Sequence, residues 1–470
     1  MPLPQPASTL LSLGPDFWDP VEAAPFPETR TRFRNDRAAA EIGLDGLSDA
    51  EWVAHLGRFQ PFVDSLPQPL ALRYHGHQFR NYNPDIGDGR GFTFAQFHDR
   101  SGRLMDLGTK GSGQTPYSRF GDGRLTLKGG VREILATEML EALNVPTSRT
   151  LSLIETGEAL DRGDEPSPTR SAVLVRLSHG HIRIGTFQRL AYFRDEAGME
   201  RLVDYVLEHL LPSSSEEGLG EKESADAARL PSPPLKKRED RAVHLLNLVV
   251  QRTATLAARY MAAGFVHGVL NSDNINVTGE SFDYGPWRFA PVWDPAFTAA
   301  YFDHQGLYAF GRQPEAIGWD VAQLAASLRL VADSEPLIEM LDQFGPRFQA
   351  ALTDAILWRL GVTPRDPASD REVARATERA LRGTGTGLDR FFHDAFSGRV
   401  PAGDDWTELR DALAGYAPRK QRTGAYWSGE PCSMLIDEVE TIWAAIAEHD
   451  DWGPLHAKVA AIRTMGATLA

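Results

Sequence analysis

His267-Gly-Val-Leu-Asn-Ser-Asp273-Asn274, with Asp283-Tyr-Gly285 beginning ten residues after Asp273, decides the reading of this chain. The stretch directly follows Arg241–Ala263, a long run with apolar residues at helical spacing. An Asn amide oxygen and an Asp carboxylate are hard oxygen ligands, suited to a magnesium ion that bridges nucleotide phosphates. Asp273 is the only carboxylate between His267 and Asn274, and Val269, two residues after the histidine, cannot accept a proton.

Moving outward, the same order of parts occurs in protein kinases. Their catalytic loop runs His-Arg-Asp, then four residues, then a metal-binding Asn, with an Asp-Phe-Gly triplet beyond. Here Asn274 holds the Asn position, Asp283-Tyr284-Gly285 the triplet, and Val269 the place of the catalytic Asp. Upstream, Gly87-Asp-Gly-Arg90-Gly91 precedes an alternating strand, 91–97. Its spaced glycines match the front of a phosphate-cradling loop, but Phe92 fills the third glycine position, so by itself the motif reads as a tight turn. Lys110 ends the next strand, 103–110, and Glu133 follows 23 residues later in a helix beginning near Gly130. Glycine turn, strand lysine and helix glutamate are kinase N-lobe parts in kinase order. Taken alone, both charged residues would be ordinary surface groups.

The fold class expected is therefore α+β, a protein-kinase-like two-lobed body with a β-rich N-lobe and a large helical C-lobe. Residues 1–80 form an N-terminal extension with a short helical run at Asp49–Leu56, 81–180 the N-lobe, and 181–470 the C-lobe carrying the catalytic and metal-binding loops. A buried strand is expected at 171–176, a hairpin-like stretch at Asn276–Trp287, and helices at 319–330, 335–344 and 434–448. Pro212–Asp240, rich in proline, serine and charge, has the composition of a flexible surface segment.

Composition narrows the function. The net charge of −15 repels phosphate backbones and anionic lipid, so neither nucleic acid nor a membrane surface is an expected partner. Within 81–190, however, 14 Lys and Arg face 13 Asp and Glu, which marks this stretch for an anionic ligand. A single cysteine, Cys432, excludes an intramolecular disulfide and a multi-cysteine zinc site. With no basic, apolar leader at 1–18 and no run approaching ~20 apolar residues, the chain reads as soluble and cytoplasmic.

Longer motifs join these parts: Tyr74-His-Gly-His-Gln-Phe79, Lys110-Gly-Ser-Gly-Gln-Thr-Pro-Tyr-Ser-Arg119, Gly121-Asp-Gly-Arg124, Arg132-Glu133, Val173-Leu-Val-Arg176, His181-Ile-Arg183, Asp283-Tyr-Gly-Pro286 and Asp303-His-Gln-Gly306. With these the chain resembles, in register from about Leu70 to Leu330, the selenoprotein O family, whose bacterial members are also called YdiU. The resemblance implies a pseudokinase-fold protein adenylyltransferase that binds ATP inverted relative to kinases. AMP would pass to a Ser, Thr or Tyr hydroxyl of a protein substrate, with release of pyrophosphate. By the same resemblance Gly87, Gly89, Arg90, Lys110, Asp122, Gly123, Arg176, Arg183 and Asp283 contact ATP. Asn274 and Asp283 hold Mg2+, with Mn2+ the alternative metal. Asp273 accepts the hydroxyl proton, and Glu133 pairs with Lys110. The chain departs from the family in its lone Cys432 and beyond about Leu360, where a poor fit leaves the choice of substrate open.

Two His-x-His pairs, His75/His77 and His179/His181, suggest a transition-metal site, but no Asp, Glu or Cys joins them at ligand spacing. Asp294, before Pro295, reads as a turn cap. Two rival functions stay open: an ATP-binding pseudokinase scaffold, which Val269 permits, and an atypical kinase transferring the γ-phosphate with Asp273 as base. Asp273, Asn274 and Asp283 together favour the transferase, since a scaffold has no use for a base beside an acceptor hydroxyl.

Overall fold

A computed structural model describes residues 3–163, 165–212 and 238–470. The proline- and serine-rich stretch at 212–240 lies outside the described residues except at its two ends. The chain is α+β: a nine-stranded antiparallel sheet followed by a large helical region. The strands are β1 (Gln5–Ala7), β2 (Trp18–Pro20), β3 (Arg30–Arg34), β4 (Leu70–Leu72), β5 (Thr93–His98), β6 (Leu104–Lys110), β7 (Leu125–Thr126), β8 (Arg149–Leu160) and β9 (Thr169–Ser178). They run in the order β2-β4-β5-β6-β9-β8-β3, with β1 beside β5 and β7 beside β9. Residues up to Leu72 thus supply four strands of the same sheet.

Side chains alternate across a strand, so each strand serves two faces. Val173, Val175 and Leu177 of β9 pack with Met105 and Leu107 of β6 beneath two short helices, α1 (Asp36–Glu41) and α2 (Asp49–Leu56). Ala172 and Leu174 face the other way, with Leu104, onto α3 (Leu127–Ala142). By the same parity Arg176 and Lys110 belong to the α3 face. The register agrees: Lys110 pairs with Leu174, and Arg176 pairs with Gly108, which has no side chain to compete for the space. Helix α3 starts three residues before Gly130, because the Thr126 side chain caps it by accepting from Gly129 N at 3.1 Å.

In the helical region α4 (Ile184–Phe193) leads from the sheet, α5 (Arg238–Ala263) forms the apolar spine, and α6 (Gln313–Leu328) packs against it. Helices also occupy 334–341 and 436–449, close to the runs read at 335–344 and 434–448, and a further helix at 344–360 is not among those expected. The hairpin expected at Asn276–Trp287 is not formed. Those residues make a loop closed by a two-residue pairing of Phe265–Val266 with Arg288–Phe289. Their backbone bonds go elsewhere, Val277 N to Ile182 O at 3.0 Å and Ser281 N to Pro146 O at 2.9 Å, which stitches the loop to the sheet side of the molecule. A hairpin does form upstream, between Gly76–Gln78 and Asn81–Asn83. Its turn is Phe79-Arg80, both with positive φ (50° and 63°), where the chemistry of tight turns would favour Gly or Asn. Among the described residues no helix is long and apolar enough to cross a membrane.

Gly185 lets α4 touch the 74–79 segment, since a Cβ there would lie 2.1 Å from the carbonyl oxygen of His75. Gly185→Ala should therefore destabilise the protein by about 1–3 kcal/mol. Gly383, in the exposed last turn of a helix with nothing within 4 Å, is the control. Gly383→Ala should be neutral or stabilising by up to about 1 kcal/mol. Urea denaturation midpoints of the two variants check both.

Candidate active site

Lys110 is 3% exposed at the end of β6. Its ammonium pairs with Glu133 of α3, 1% exposed, and lies 2.8 Å from Asp283 Oδ1. It also donates to Tyr284 O at 3.3 Å. One buried cation thereby joins the sheet, α3 and the loop after the Asp273 segment. Arg132, beside Glu133, fastens the same loop by donating to Trp287 O at 2.8 Å and stacking on the Trp287 ring at 4.8 Å.

Asp283 has φ of +61°, a left-handed backbone uncommon for a residue with a side chain. Burial pushes its carboxyl up, but Lys110, Arg176, Arg90 and Arg183 outweigh that and hold it well below the usual carboxylate range. It is a fixed anion in a ring of cations. Arg176 Nη1 lies 3.9 Å from it, yet Arg176 Nε and Nη1 are buried without any hydrogen-bond partner among the described residues. Arg183, also buried, donates through Nη1 to Tyr74 OH at 2.7 Å and Asp273 O at 3.3 Å, and through Nη2 to Asp88 Oδ1 at 3.0 Å. Its Nε has no partner among the described residues. Unsatisfied guanidinium donors inside a protein are costly, and a phosphate oxygen is the acceptor whose geometry and charge suit them.

Asp273 is 8% exposed, and its Oδ1 has no hydrogen-bond partner among the described residues. Burial pushes its carboxyl up to about 6, with Arg183 opposing the shift and Asp283 adding to it. A free, basic carboxylate oxygen of this kind suits proton acceptance. The loop around it is pinned on both sides. His77 N donates to Ser272 Oγ at 2.7 Å, Phe79 N to Asn271 Oδ1 at 3.0 Å, and Gln78 hydrogen-bonds the Asp273 carboxyl. From α6, Gln313 accepts from His267 N at 3.0 Å and donates to Phe265 O at 2.8 Å. Asn274 Nδ2 donates to Val269 O at 3.0 Å, which leaves its Oδ1 as a free acceptor. Asn274 Oδ1 and the ionised Asp283 carboxylate are hard oxygens, the donor type a magnesium ion takes.

The glycine turn sits under a cover built from the Lys110–Arg119 stretch. A Cβ on Gly87 would come within 2.5 Å of the Tyr117 ring, Ser118 Oγ donates to Gly89 O at 2.5 Å, and Gly111 N to Arg90 O at 2.6 Å. Arg90 itself is exposed. Asp122 pairs with Arg162 at 2.9 Å, and Gly123 O accepts from Gly113 N at 3.1 Å. The two His-x-His pairs make hydrogen bonds within the protein, among them His75 Nδ1 with Tyr82 OH at 2.8 Å and His179 Nδ1 with Leu104 O at 2.8 Å. Asp294 Oδ1 accepts from Ala296 N at 2.9 Å in an exposed turn. Sequence reading gives no role to Asp88, Tyr74, Gln78 or Gln188, whose Oε1 accepts from Ser272 Oγ at 2.6 Å. The signal is present, since three of the four lie inside quoted motifs.

A family model described as protein adenylyltransferase SelO matches residues 5–413. Curated relatives named protein nucleotidyltransferase YdiU include one from Synechococcus elongatus, 49% identical over 95% of this chain and 92% of its own. Another, from Synechocystis, is 41% identical over 95% of both chains. A third, from Azotobacter vinelandii, is 33% identical over 92% of this chain and 82% of its own. The similarity therefore runs well past the 70–330 stretch and corrects the poor fit expected beyond Leu360. On this agreement the chain belongs to the SelO family of protein adenylyltransferases and is a nucleotidyltransferase.

Proposed function

We propose that the protein transfers AMP from ATP to a Ser, Thr or Tyr hydroxyl of a protein substrate, releasing pyrophosphate. The proposal includes a kinase-like division into an extension (1–80), an N-lobe (81–180) and a helical C-lobe (181–470), with the nucleotide between the lobes. The observation that carries it is the pairing of buried, unsatisfied guanidinium donors on Arg176 and Arg183 with an unsatisfied carboxylate oxygen on Asp273.

Arg176 and Arg183 take the β- and γ-phosphates, where charge accumulates as pyrophosphate departs. Donors already fixed in a buried site stabilise that charge without reorganising. Lys110, held by Glu133, adds a further cation, and Gly87, Gly89 and Arg90 cradle the nucleotide from the turn, with Asp122 and Gly123 at its outer end. Asn274 and Asp283 hold Mg2+, or Mn2+, which when bound neutralises phosphate charge. Asp273 accepts the proton of the acceptor hydroxyl as its oxygen bonds to the α-phosphorus and the bond from that phosphorus to the bridging oxygen breaks. With Val269 in the kinase base position, Asp273 is the carboxylate that remains for this task in the loop. The rival kinase reading would place the same base beside the γ-phosphate.

With ATP labelled at the α-phosphate, label should appear on acceptor protein and pyrophosphate in solution, and Asp273→Ala should abolish both while the protein stays folded. Transfer of γ-label with ADP as product would replace this reading with the kinase. Asp283→Ala should lower turnover by about 10²–10³-fold, the usual effect of losing a charge-stabilising group in a site. Unchanged turnover in the folded variant would remove Asp283 from the metal and phosphate site.

A further inference from the structure

Asp88 is the residue of the 87–91 turn with a buried side chain, and nothing in the proposed chemistry uses it. Its two carboxylate oxygens each accept from a different part of the protein. Oδ2 accepts from Leu72 N of β4 at 3.0 Å, and Oδ1 accepts from Arg183 Nη2 at 3.0 Å. Its own backbone is fixed as well, with Asp88 N donating to Leu72 O at 3.1 Å and Thr115 Oγ1 donating to Asp88 O at 2.5 Å. Arg183 continues the chain of contacts: its guanidinium lies over the Tyr74 ring at 4.3 Å and the Phe282 ring at 4.9 Å, and donates to the Asp273 carbonyl at 3.3 Å. A guanidinium held at this many points has one orientation, which directs the unpaired Nε.

We propose that Asp88 is a positioning residue for the transfer reaction, anchoring Arg183 to the sheet so that one guanidinium both steadies the Asp273 main chain and presents its free Nε–H to the departing pyrophosphate. This rests on the assignment of Arg183 to the phosphates. In this role Asp88 acts through Arg183, to which its Oδ1 is bonded. The chemistry of the site makes Asp88→Asn a sharp probe. Both partners of the carboxylate are donors, and an amide offers one acceptor oxygen and one donor nitrogen. Whichever way the substituted amide turns, one N–H meets another: either Arg183 loses its bond, or the turn parts from Leu72 and carries the guanidinium with it, so Arg183 is displaced in both cases.

The test compares steady-state kinetics of the full chain with Mg2+ and ATP across the parent, Asp88→Asn, Arg183→Met and the double variant, together with a crystal structure of Asp88→Asn. Because the lost interaction matters most as leaving-group charge develops, kcat should fall by about tenfold or more while KM for ATP stays within about threefold. In the Arg183→Met background the second substitution should cost less than about twofold, since nothing remains to be positioned. The crystal structure should show the guanidinium out of hydrogen-bonding reach of the Asp273 carbonyl. A full further loss in the Arg183→Met background, turnover of Asp88→Asn within about twofold of the parent, or an unmoved guanidinium would overturn the proposal. The label carried by the parent's product tests the adenylyl-transfer reading separately. The guanidinium position reports on Asp88 whichever phosphate is transferred.

Discussion

A single buried ammonium organises the site. Lys110 ends a strand with almost no solvent exposure and meets two carboxylates, one on α3 and one on the loop that follows Asp273. Removing one partner of a buried ion pair typically costs about 3–5 kcal/mol, because the remaining charge has neither water nor counter-charge. Sheet, helix and loop therefore cannot drift apart independently. Asp283 in turn holds its left-handed backbone where Lys110, Arg176, Arg90 and Arg183 converge on its charge. The same groups that fix the fold at this point also set its electrostatics.

Around that centre lies a shell whose work is orientation. Gln78, His77 and Phe79 hold the Asn271–Asp273 segment from one side, and Gln313 of α6 holds His267 from the other. The hairpin that supplies the first three is closed by two bulky residues in left-handed conformations. Backbone of that kind persists where its surroundings over-determine it. Here Arg80 is tied to Glu315 at 2.9 Å and lies over Trp319, while Phe79 packs near Tyr308 and Phe302. Such a frame places a basic carboxylate oxygen and unpaired guanidinium donors together before any nucleotide arrives.

Much of this is legible in the sequence, and the losses have physical reasons. The alternation at 91–97 and 103–110 locates β5 and β6 to within two residues, because period two with aromatic and aliphatic residues suits a sheet buried on both faces. Helix α3 reads as starting near Gly130 rather than at Leu127, since Gly129-Gly130 looks like a break and the capping bond of Thr126 cannot be seen in composition. The hairpin expected at 276–287 does not form because its backbone groups find partners in distant segments. The one at 76–83 is invisible because Phe79-Arg80 carries no turn signature. Lys110, Glu133 and Asp283 can be read from order and spacing. Asp88 cannot be given a role, since its meaning comes from Arg183, ninety-five residues away.

The central claim is that the triphosphate lies with its leaving end between Arg176 and Arg183 and its α-phosphorus beside Asp273. A crystal structure of the chain with Mg2+ and a non-hydrolysable ATP analogue measures this directly. The β- and γ-phosphate oxygens should lie on the unpaired guanidinium donors of Arg176 and Arg183, and the α-phosphate within reach of Asp273 Oδ1. A γ-phosphate beside Asp273, with the adenine at the far end of the two arginines, would contradict it.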